Sequence, residues 1–555
     1  MDPRVDRNRT LGGVRRLGPV GTAAVIALPA LFLGYFYAYP LISITVRGVT
    51  SDGSLDLGVI GDIVTDPTLQ GVALFTITQA VISTALTLIV GLPTAWVFAR
   101  FTFPGKRVLS AATLVPFVLP TLVVGTTFLN LVGPRGLLGV DLSGTLTIIL
   151  IAHVFYNFAV VVRGVGSYWA RIDPRIEEAA RTLGASPWKA FTTVTLPLLR
   201  PAIASTSSLV FLFSFTSFGV VLLLGDLTHS TIEVEIWRQA TAFLRIDVAS
   251  TLAVMQLVGV AIILIIYGRF ERRTRTEFRH HTIAPGPPRG RRQRTLVATI
   301  LTTAAVFIGA PLGLLVIRSL QTPGGGFGLV NYRNLFALPG QTAAFIDPVE
   351  AVSNSLRFAA IAVVIALGIG ILASAALSYS DRRVARGFDL FVMLPLGTSA
   401  VTIGFGFLIA LDWPFDLRTS IILIPIAHAL VGIPFVVRSI NPSLGSIQRH
   451  LREAAATLGA DRWHTWLTID LRLISRAAFV GGAFAFAISM GEFGATTFIA
   501  RPATPTIPIA IFRYLGRPGA APFGAALALS VVLMAVTAAV IIAIDSIGAE
   551  RESGL

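Results

Sequence analysis

Twelve apolar runs, uncharged except for Glu492, constrain the fold of this chain more than any other feature. Six lie at about 18–46, 68–99, 108–134, 142–162, 201–225 and 249–268, and six more at about 296–317, 358–380, 391–411, 419–437, 477–500 and 518–544. A helix needs about 20 apolar residues to cross a bilayer. In lipid, a helix satisfies each backbone amide within its own segment. The runs therefore predict an all-α polytopic membrane protein with twelve transmembrane helices.

The charged residues support this prediction and indicate an orientation. Net charge is +15, and nearly all of the basic residues are arginines beside the apolar runs. Arginines beside apolar runs are typical of the cytoplasmic loops of membrane proteins. We therefore expect the chain to have a lipid bilayer as its partner, and we expect no nucleic acid. Five arginines precede the first run, which is too long for a signal-peptide core. We therefore expect a multi-pass protein of the bacterial cytoplasmic (inner) membrane with a cytoplasmic N-terminus.

A repeat at an offset of 275 residues relates the two sets of runs. The stretch 178–185 recurs at 453–460, and the same offset matches Leu119-Pro120 with 394–395 and Phe218-Gly219 with 493–494. An ungapped register over about a hundred residues indicates duplication and fusion. Six spans per half give both halves one orientation. We expect a pseudo-two-fold axis along the membrane normal, with a pathway at the interface between the halves.

The repeat divides the chain into a first half at 1–268, a linker at 269–294 and a second half at 295–555. The linker is rich in arginine and proline and has almost no apolar residues, so it cannot form a core. We interpret it as a cytoplasmic tether. Binding of anionic lipid headgroups is the alternative role of its arginines.

The repeated stretch predicts two short helices outside the bilayer. Asp173-Pro174 combines an N-cap with a proline suited to the first helical position, and Gly184 can end that helix in a left-handed conformation. Ser186-Pro187 then starts a second helix, which we expect to end near Pro197. In the second copy, Gly459 and Asp461 occupy the equivalent stop and restart positions. Each copy is thus predicted to be a helix–turn–helix.

The pattern Glu-Ala-Ala, three residues, Gly, nine residues, Ile or Val, one residue, Leu-Pro resembles the coupling-loop signature of ABC-importer permeases. The first copy fits throughout; the second has Arg472 in place of proline, which predicts a different end to its second helix. The resemblance implies two pseudo-symmetric six-helix type I ABC importer permease domains, with coupling loops at 171–200 and 446–475. It assigns ATPase coupling to Glu178, Ala179, Ala180, Gly184, Glu453, Ala454, Ala455 and Gly459.

The resemblance also implies partners. The chain has no phosphate-binding Walker loop, because Gly105-Lys106 is followed by Arg107 and lacks the upstream glycine. We therefore expect no enzymatic activity and no cofactor on this chain, with ATP and Mg on a separate ATPase. Two coupling loops imply two copies of an ABC ATP-binding subunit. The family further implies an extracytoplasmic substrate-binding protein that sets most of the specificity.

A finer resemblance concerns the cargo. Segments 214–219 and 231–236, and 489–494 and 506–509 in the second half, resemble permeases of the thiamine and iron(III) importer group, as does the fused twelve-span arrangement. The resemblance implies a thiamine-like or iron(III)-like cargo moved by alternating access.

Four polar residues in the apolar runs are candidates for the translocation pathway. Glu492 interrupts a span, and its repeat partner is Ser217. An ionisable group at that depth is costly, so Glu492 either faces a cationic cargo or serves as a hydrogen-bonded helix-break residue. His153 and His428 are related by the repeat. One histidine per half is too few for a metal site, which favours interhelical hydrogen bonds.

Three arginines do not follow the tendency of arginines to lie in cytoplasmic loops. Arg501, Arg513 and Arg517 fall in a predicted outer loop. They are suited either to acidic residues of a docked binding protein or to outer lipid headgroups.

Two other classes of protein compete with the permease interpretation. A secondary active transporter with parallel six-helix repeats would need proton- or sodium-coupling carboxylates at the midplane, for which Glu492 is the one good candidate. A membrane enzyme would need a catalytic constellation, and the sequence has no His-Glu-x-x-His pair and no cysteine. Neither class explains the repeated loops.

Overall fold

The structure is a computed structural model, and it describes residues 19–51, 54–55, 58, 61, 65–134, 136–274, 285–322, 325–337 and 346–553. Apart from a two-residue β-hairpin, β1 (Thr50–Ser51) with β2 (Ser54–Leu55), every regular element in these ranges is helical. The arginines of the first sixteen positions lie outside the described residues, as does 275–284 of the predicted linker.

The first half contains the following helices in chain order: α1 (Pro19–Leu33), a π-helix (Gly34–Ala38), α2 (Tyr39–Val49), α3 (Pro67–Arg100), α4 (Lys106–Val118), α5 (Thr121–Val132), α6 (Leu146–Trp169), α7 (Pro174–Thr182), α8 (Pro187–Ala190), a π-helix (Phe191–Thr195), α9 (Leu196–Phe215), α10 (Gly219–Leu224), α11 (Ile232–Thr241) and α12 (Ile246–Thr274).

The second half repeats this order: α13 (Gly290–Ser319), α14 (Val330–Ala337), α15 (Pro348–Tyr379), α16 (Arg382–Gly397), α17 (Ala400–Ala410), α18 (Leu423–Ser446), α19 (Arg449–Thr457), α20 (Arg462–Thr465), a π-helix (Trp466–Asp470), α21 (Leu471–Gly491), α22 (Thr496–Ile499), α23 (Ile507–Leu515) and α24 (Ala520–Ser553). From α19 to the π-helix, the bounds match their first-half counterparts at the 275 offset residue for residue.

Ten helical segments of the described chain are long and apolar enough to span a membrane, or up to twelve if two broken pairs each count as one span. One broken pair is α4 with α5, bent by 98°. The break falls at Leu119-Pro120, where proline disfavours a helical conformation in the preceding residue. The other pair is α16 with α17. The all-α polytopic architecture is confirmed, with its predicted twelve spans at the upper end of this range.

The contacts divide the chain into two compact units that do not follow the two sequence halves. The smaller comprises 1–40, 357–396 and 422–489, and the larger 41–356, 397–421 and 490–555. In the larger unit, α6 is the most buried long helix, and α13 of the second half packs on it through Ala304 and Ile308 against Phe158 and Val162.

The boundaries of the linker between the halves, predicted at 268 and 294, remain predictions. Helices α12 and α13 extend into the linker from either side.

Candidate functional site

The two repeated stretches form the predicted helix–turn–helix. In the first copy, Asp173 Oδ1 accepts a hydrogen bond from the Arg175 N–H at 2.9 Å and caps α7, while Ser186 Oγ accepts from the Lys189 N–H and caps α8. In the second copy, Asp461 Oδ1 accepts from the His464 N–H and caps α20. Capping satisfies amides that have no partner within the helix.

The turn between the helices has the same geometry in both copies. Gly184 and Gly459 adopt φ of +91° and +86°. The Ala185 N–H donates to the Ala180 carbonyl at 3.1 Å, and the Ala460 N–H donates to the Ala455 carbonyl at 3.0 Å. This bond across a left-handed glycine closes the helix end in the pattern of a Schellman motif. The repeated glycine is therefore required by backbone conformation.

The tips of both turns expose apolar side chains. Leu183 is 89% exposed and Leu458 88%, although both are large hydrophobic residues. Glu178 and Ala179 are exposed and Ala180 is half-buried, and the equivalent second-copy residues have the same burial. The two turns therefore present the same apolar side chain at their tips.

A side-chain hydrogen bond ties each first helix to the start of the following span. In the first copy, Thr195 Oγ1 donates to Glu177 Oε2 at 2.9 Å. At the equivalent positions of the second copy, Arg452 Nε donates to Asp470 Oδ1 at 2.8 Å. The positions are conserved between the copies while the chemistry changes. We call each pair a strut.

The second helix does not end near Pro197 as expected. It continues through a π-helical turn into the span, so that Pro187–Phe215 is one continuous helical segment. A π-turn widens the helix locally and is common at functional positions. The second copy has the same π-turn at Trp466–Asp470 although Arg472 replaces the proline. The expected difference between the copies is therefore wrong: their second helices run alike.

Glu492 has local hydrogen-bond partners. Its Oε1 accepts from the Ala495 N–H at 2.8 Å, and its Oε2 accepts from the Thr496 N–H and hydroxyl at 3.0 and 2.6 Å. These donors lie at the start of α22, so the carboxylate satisfies amides at a helix break. This is the geometry of the helix-break alternative, while contact of Glu492 with cargo remains a prediction.

The two histidines make interhelical hydrogen bonds. His153 contacts Ser83 through Nδ1 at 3.1 Å and Ser217 through Nε2 at 2.8 Å, and His428 contacts Ser489 through Nδ1 at 2.7 Å. Two predicted pathway residues, His153 and Ser217, are thus in direct contact. No cluster of three or more potential metal ligands from His, Asp and Glu occurs in the described ranges.

The three outer-loop arginines lie near the surface. Arg501 and Arg513 are exposed and Arg517 is half-buried. Arg501 donates from Nη2 to the Arg418 carbonyl at 3.1 Å, and Arg418 is paired with Asp416 through Nε and Oδ1 at 2.9 Å. The accessibility of Arg501 and Arg513 is compatible with either of their two predicted roles.

Four aromatic rings link the two halves of the repeat. Phe218 stacks on its repeat equivalent Phe493 with ring centroids 5.5 Å apart, and Trp237 contacts its equivalent Phe512 edge to face at 6.2 Å. Phe218 also contacts Trp237, and Phe493 contacts Phe512. The Phe218–Phe493 and Trp237–Phe512 contacts therefore join residues that are equivalent under the 275-residue repeat. We call these residues the four-ring cluster.

Glu233 and Glu235 of α11 are not among the residues predicted from the sequence to form the site, although they lie in one of the segments that carry the family resemblance. Both are buried, with Glu233 at 0% exposure. Helix α11 is not one of the candidate spans. Burial raises the pKa of Glu233 to about 8, opposed by hydrogen bonds from Ser399 and Gln256. The available signal was the alternation of two carboxylates with apolar residues over 232–236.

A family model described as "binding-protein-dependent transport system inner membrane component" matches this chain twice, over 87–276 and 366–548. Each match contains one helix–turn–helix and one pair of cluster rings.

Similar curated proteins include the thiamine transport system permease protein of Brucella suis, 26% identical over 471 residues, covering 81% of this chain and 83% of that protein. That of Salmonella typhimurium is 25% identical over 480 residues, with coverage of 81% and 84%. The sulfate transport system permease protein of Escherichia coli is 34% identical over 178 residues, or 31% of this chain and 64% of that protein. A bacterial alginate ABC transporter chain aligns with 46% of this chain and 95% of its own length, at 17% identity and a TM-score of 0.39.

Proposed function

Because the chain belongs to the family of inner membrane components of binding-protein-dependent transport systems, we propose that it is the permease subunit of an ATP-driven importer for thiamine. The chain carries both permease domains, and the solute crosses between them by alternating access.

The observation that carries this proposal is the pair of matching helix–turn–helix segments. Each presents a nearly fully exposed leucine, Leu183 or Leu458, on a turn fixed by a left-handed glycine. A leucine on a rigid tip is suited to an apolar groove of a cytoplasmic partner. Since the two tips are alike, two copies of one ATP-binding subunit can dock, one on each tip.

The struts can transmit movement of a docked ATPase from the first helix of each helix–turn–helix to the following span. Through Glu177–Thr195 and Arg452–Asp470, each first helix is bonded to the π-turn that begins a span. Movement of the docked ATPase would therefore move the span directly. ATP and Mg belong to that partner, and an extracytoplasmic binding protein delivers the cargo at the opposite face. In this proposal, both tips and the N-terminus lie in the cytoplasm.

The four-ring cluster supports a pathway along the pseudo-two-fold axis. Phe218 and Phe493 are almost completely buried and stack on each other across the repeat. A solute that moves along the axis would have to separate them. The cluster is thus suited to be the closed part of an alternating-access pathway.

Thiamine is proposed as the cargo because the thiamine permeases match this chain over more of its length than the sulfate permease does. The thiamine permeases match four fifths of the chain and of their own length, across both halves. The sulfate permease matches less than a third of the chain. Iron(III), the other cargo of the resembling group, stays the alternative, although no cluster of metal ligands is found among the described residues.

Thiamine uptake in a bacterium lacking its own thiamine transporter tests the proposal. The chain is expressed with its neighbouring binding-protein and ATPase genes, and uptake of radiolabelled thiamine is expected to require all three and ATP. Leu183→Asp with Leu458→Asp should abolish uptake and co-purification of the ATPase, because a charge cannot enter an apolar groove. Glu178→Arg with Glu453→Arg should do the same. Uptake without ATP or the ATPase would indicate a secondary transporter instead.

A further inference from the structure

The Glu233 carboxylate lies where the two halves of the repeat meet. Its Oε1 accepts a hydrogen bond from Gln256 Nε2 at 3.1 Å, and its Oε2 accepts one from Ser399 Oγ at 2.7 Å. Glu233 and Gln256 belong to the first half, whereas Ser399 caps α17 of the second half. The carboxylate is therefore held by both sequence repeats at once.

Both partners of Glu233 are neutral. Among the described residues, no lysine, arginine or histidine forms an ion pair with this carboxylate, and its side chain is fully buried. A buried carboxylate without a positive partner is costly. Such a group is commonly found where function requires it.

One buried oxygen of this site has no hydrogen-bond partner. It is Oε1 of Gln256, on the same amide whose nitrogen donates to Glu233. Native proteins satisfy the great majority of buried polar atoms. An unsatisfied acceptor on the partner of a carboxyl group that itself has no positive partner points to a positively charged ligand.

Glu235 provides an internal comparison. It is buried in the same helix, but its Oε2 accepts from Arg238 Nη1 at 2.8 Å and its Oε1 from Gln239 Nε2 at 2.7 Å. Its charge is thus balanced within α11. Of the two carboxylates in α11, Glu233 is the one without a positive partner among the described residues.

Aromatic surface lies on the same side of α11. Trp237 follows Glu233 by four residues, a spacing that places two side chains on one helix face. Trp237 belongs to the four-ring cluster and contacts Phe218 and Phe512. Aromatic rings attract cations through their faces, most strongly for tryptophan and for desolvated organic cations.

We propose that Glu233, Gln256, Ser399 and Trp237 form a transient binding site for the positively charged group of an organic cation in transit. The cation favours the ionised form of Glu233, whose carboxylate then balances the charge of the ligand, and the indole stacks on or beside the cationic group. This inference rests on the proposed function and deepens it, because thiamine carries a permanent charge on its thiazolium ring. The site would also explain how a pathway lined by aromatic rings passes a charged solute.

The test compares Glu233→Gln with Glu235→Gln in the complete complex with its ATPase. Glutamine keeps the size of Glu233 and can still accept from Ser399, so a merely structural role tolerates the change. We expect Glu233→Gln to lower thiamine uptake at least about tenfold, the equivalent of 1.4 kcal/mol, and Glu235→Gln to leave it near the wild-type rate. Glu233→Asp should retain an intermediate rate. Equal uptake by Glu233→Gln and wild type would overturn the site.

A binding measurement separates the site from the choice of cargo. The melting temperature of the purified complex is compared in choline chloride and in sodium chloride at equal ionic strength. Choline should stabilise the wild type and Glu235→Gln but not Glu233→Gln. If choline acts this way while the wild type takes up no thiamine, the site stands and the proposed cargo is wrong. Equal stabilisation by both salts, or by choline in Glu233→Gln, would overturn an organic-cation site.

Discussion

Arg452 donates a hydrogen bond from Nε to Oδ1 of Asp470 over 2.8 Å, and Asp470 is almost completely buried. The equivalent positions of the other repeat, Glu177 and Thr195, form a bond without an ion pair. Gene duplication has thus preserved a mechanical link while its chemistry changed, which is expected if the link matters more than the identity of its residues.

Arg452→Ala should weaken the link between α19 and its span. Loss of a charged hydrogen bond to a buried carboxylate costs about 2 kcal/mol, and we expect several-fold less thiamine transported per ATP hydrolysed. Simultaneous measurement of uptake and ATP hydrolysis in proteoliposomes checks this. Arg452→Glu with Asp470→Thr reproduces the first-copy pair and should restore much of the ratio. An unchanged ratio in Arg452→Ala would mean that the strut carries no motion.

Gly459→Ala should loosen the turn at the docking tip. A Cβ at this glycine meets no atom within 4 Å, so the cost is conformational and amounts to about 1 kcal/mol for a left-handed residue. We expect weaker ATPase binding, measured by titration of the ATPase on the purified chain. Gly459→Asn should bind better than Gly459→Ala, because asparagine tolerates this conformation. The same order is expected at Gly184.

The stability of the protein should fall as the pH rises from about 5 to 8. Burial raises the pKa of Glu233 from its ordinary 4.5 to about 8, so in this interval the folded protein retains a proton that the unfolded chain releases. Melting temperature as a function of pH measures the effect. Glu233→Gln should make this decrease in stability with pH less steep. A slope that is identical in the wild type and in Glu233→Gln contradicts the prediction.

Phe493→Ala should open the four-ring cluster. Removing a buried ring costs about 3 kcal/mol, and the loss of the stack with Phe218 should permit slow thiamine leakage without ATP. The rate of efflux from loaded proteoliposomes measures it. Phe128→Ala removes another buried ring, which contacts Phe155 within the first half. That control should lose similar stability without leaking; leakage from both variants would indicate general loosening.

Local signals in the sequence were sufficient for the helices and for the turns of the two helix–turn–helix segments. Long uncharged runs permit only helices in lipid, and the capping residues Asp173, Ser186 and Asp461 act on amides two or three positions away. Because the halves match at a 275-residue offset, a prediction for one half also applied to the equivalent residues of the other. Pro197 misled the prediction of a helix end, because a π-turn and the continuing span accommodate it.

The sequence by itself determined the membrane-spanning helices, the duplication and the paired helix–turn–helix segments, because these depend on composition and on contacts within a few residues. Only the tertiary structure decided that Glu233 is buried and held by partners from both halves of the repeat. Glu492 is satisfied by amides three and four residues away, whereas Glu233 meets Ser399 across 166 positions of the chain. Burial and electrostatic pairing arise from such distant contacts, which neither apolar runs nor motif spacing specifies.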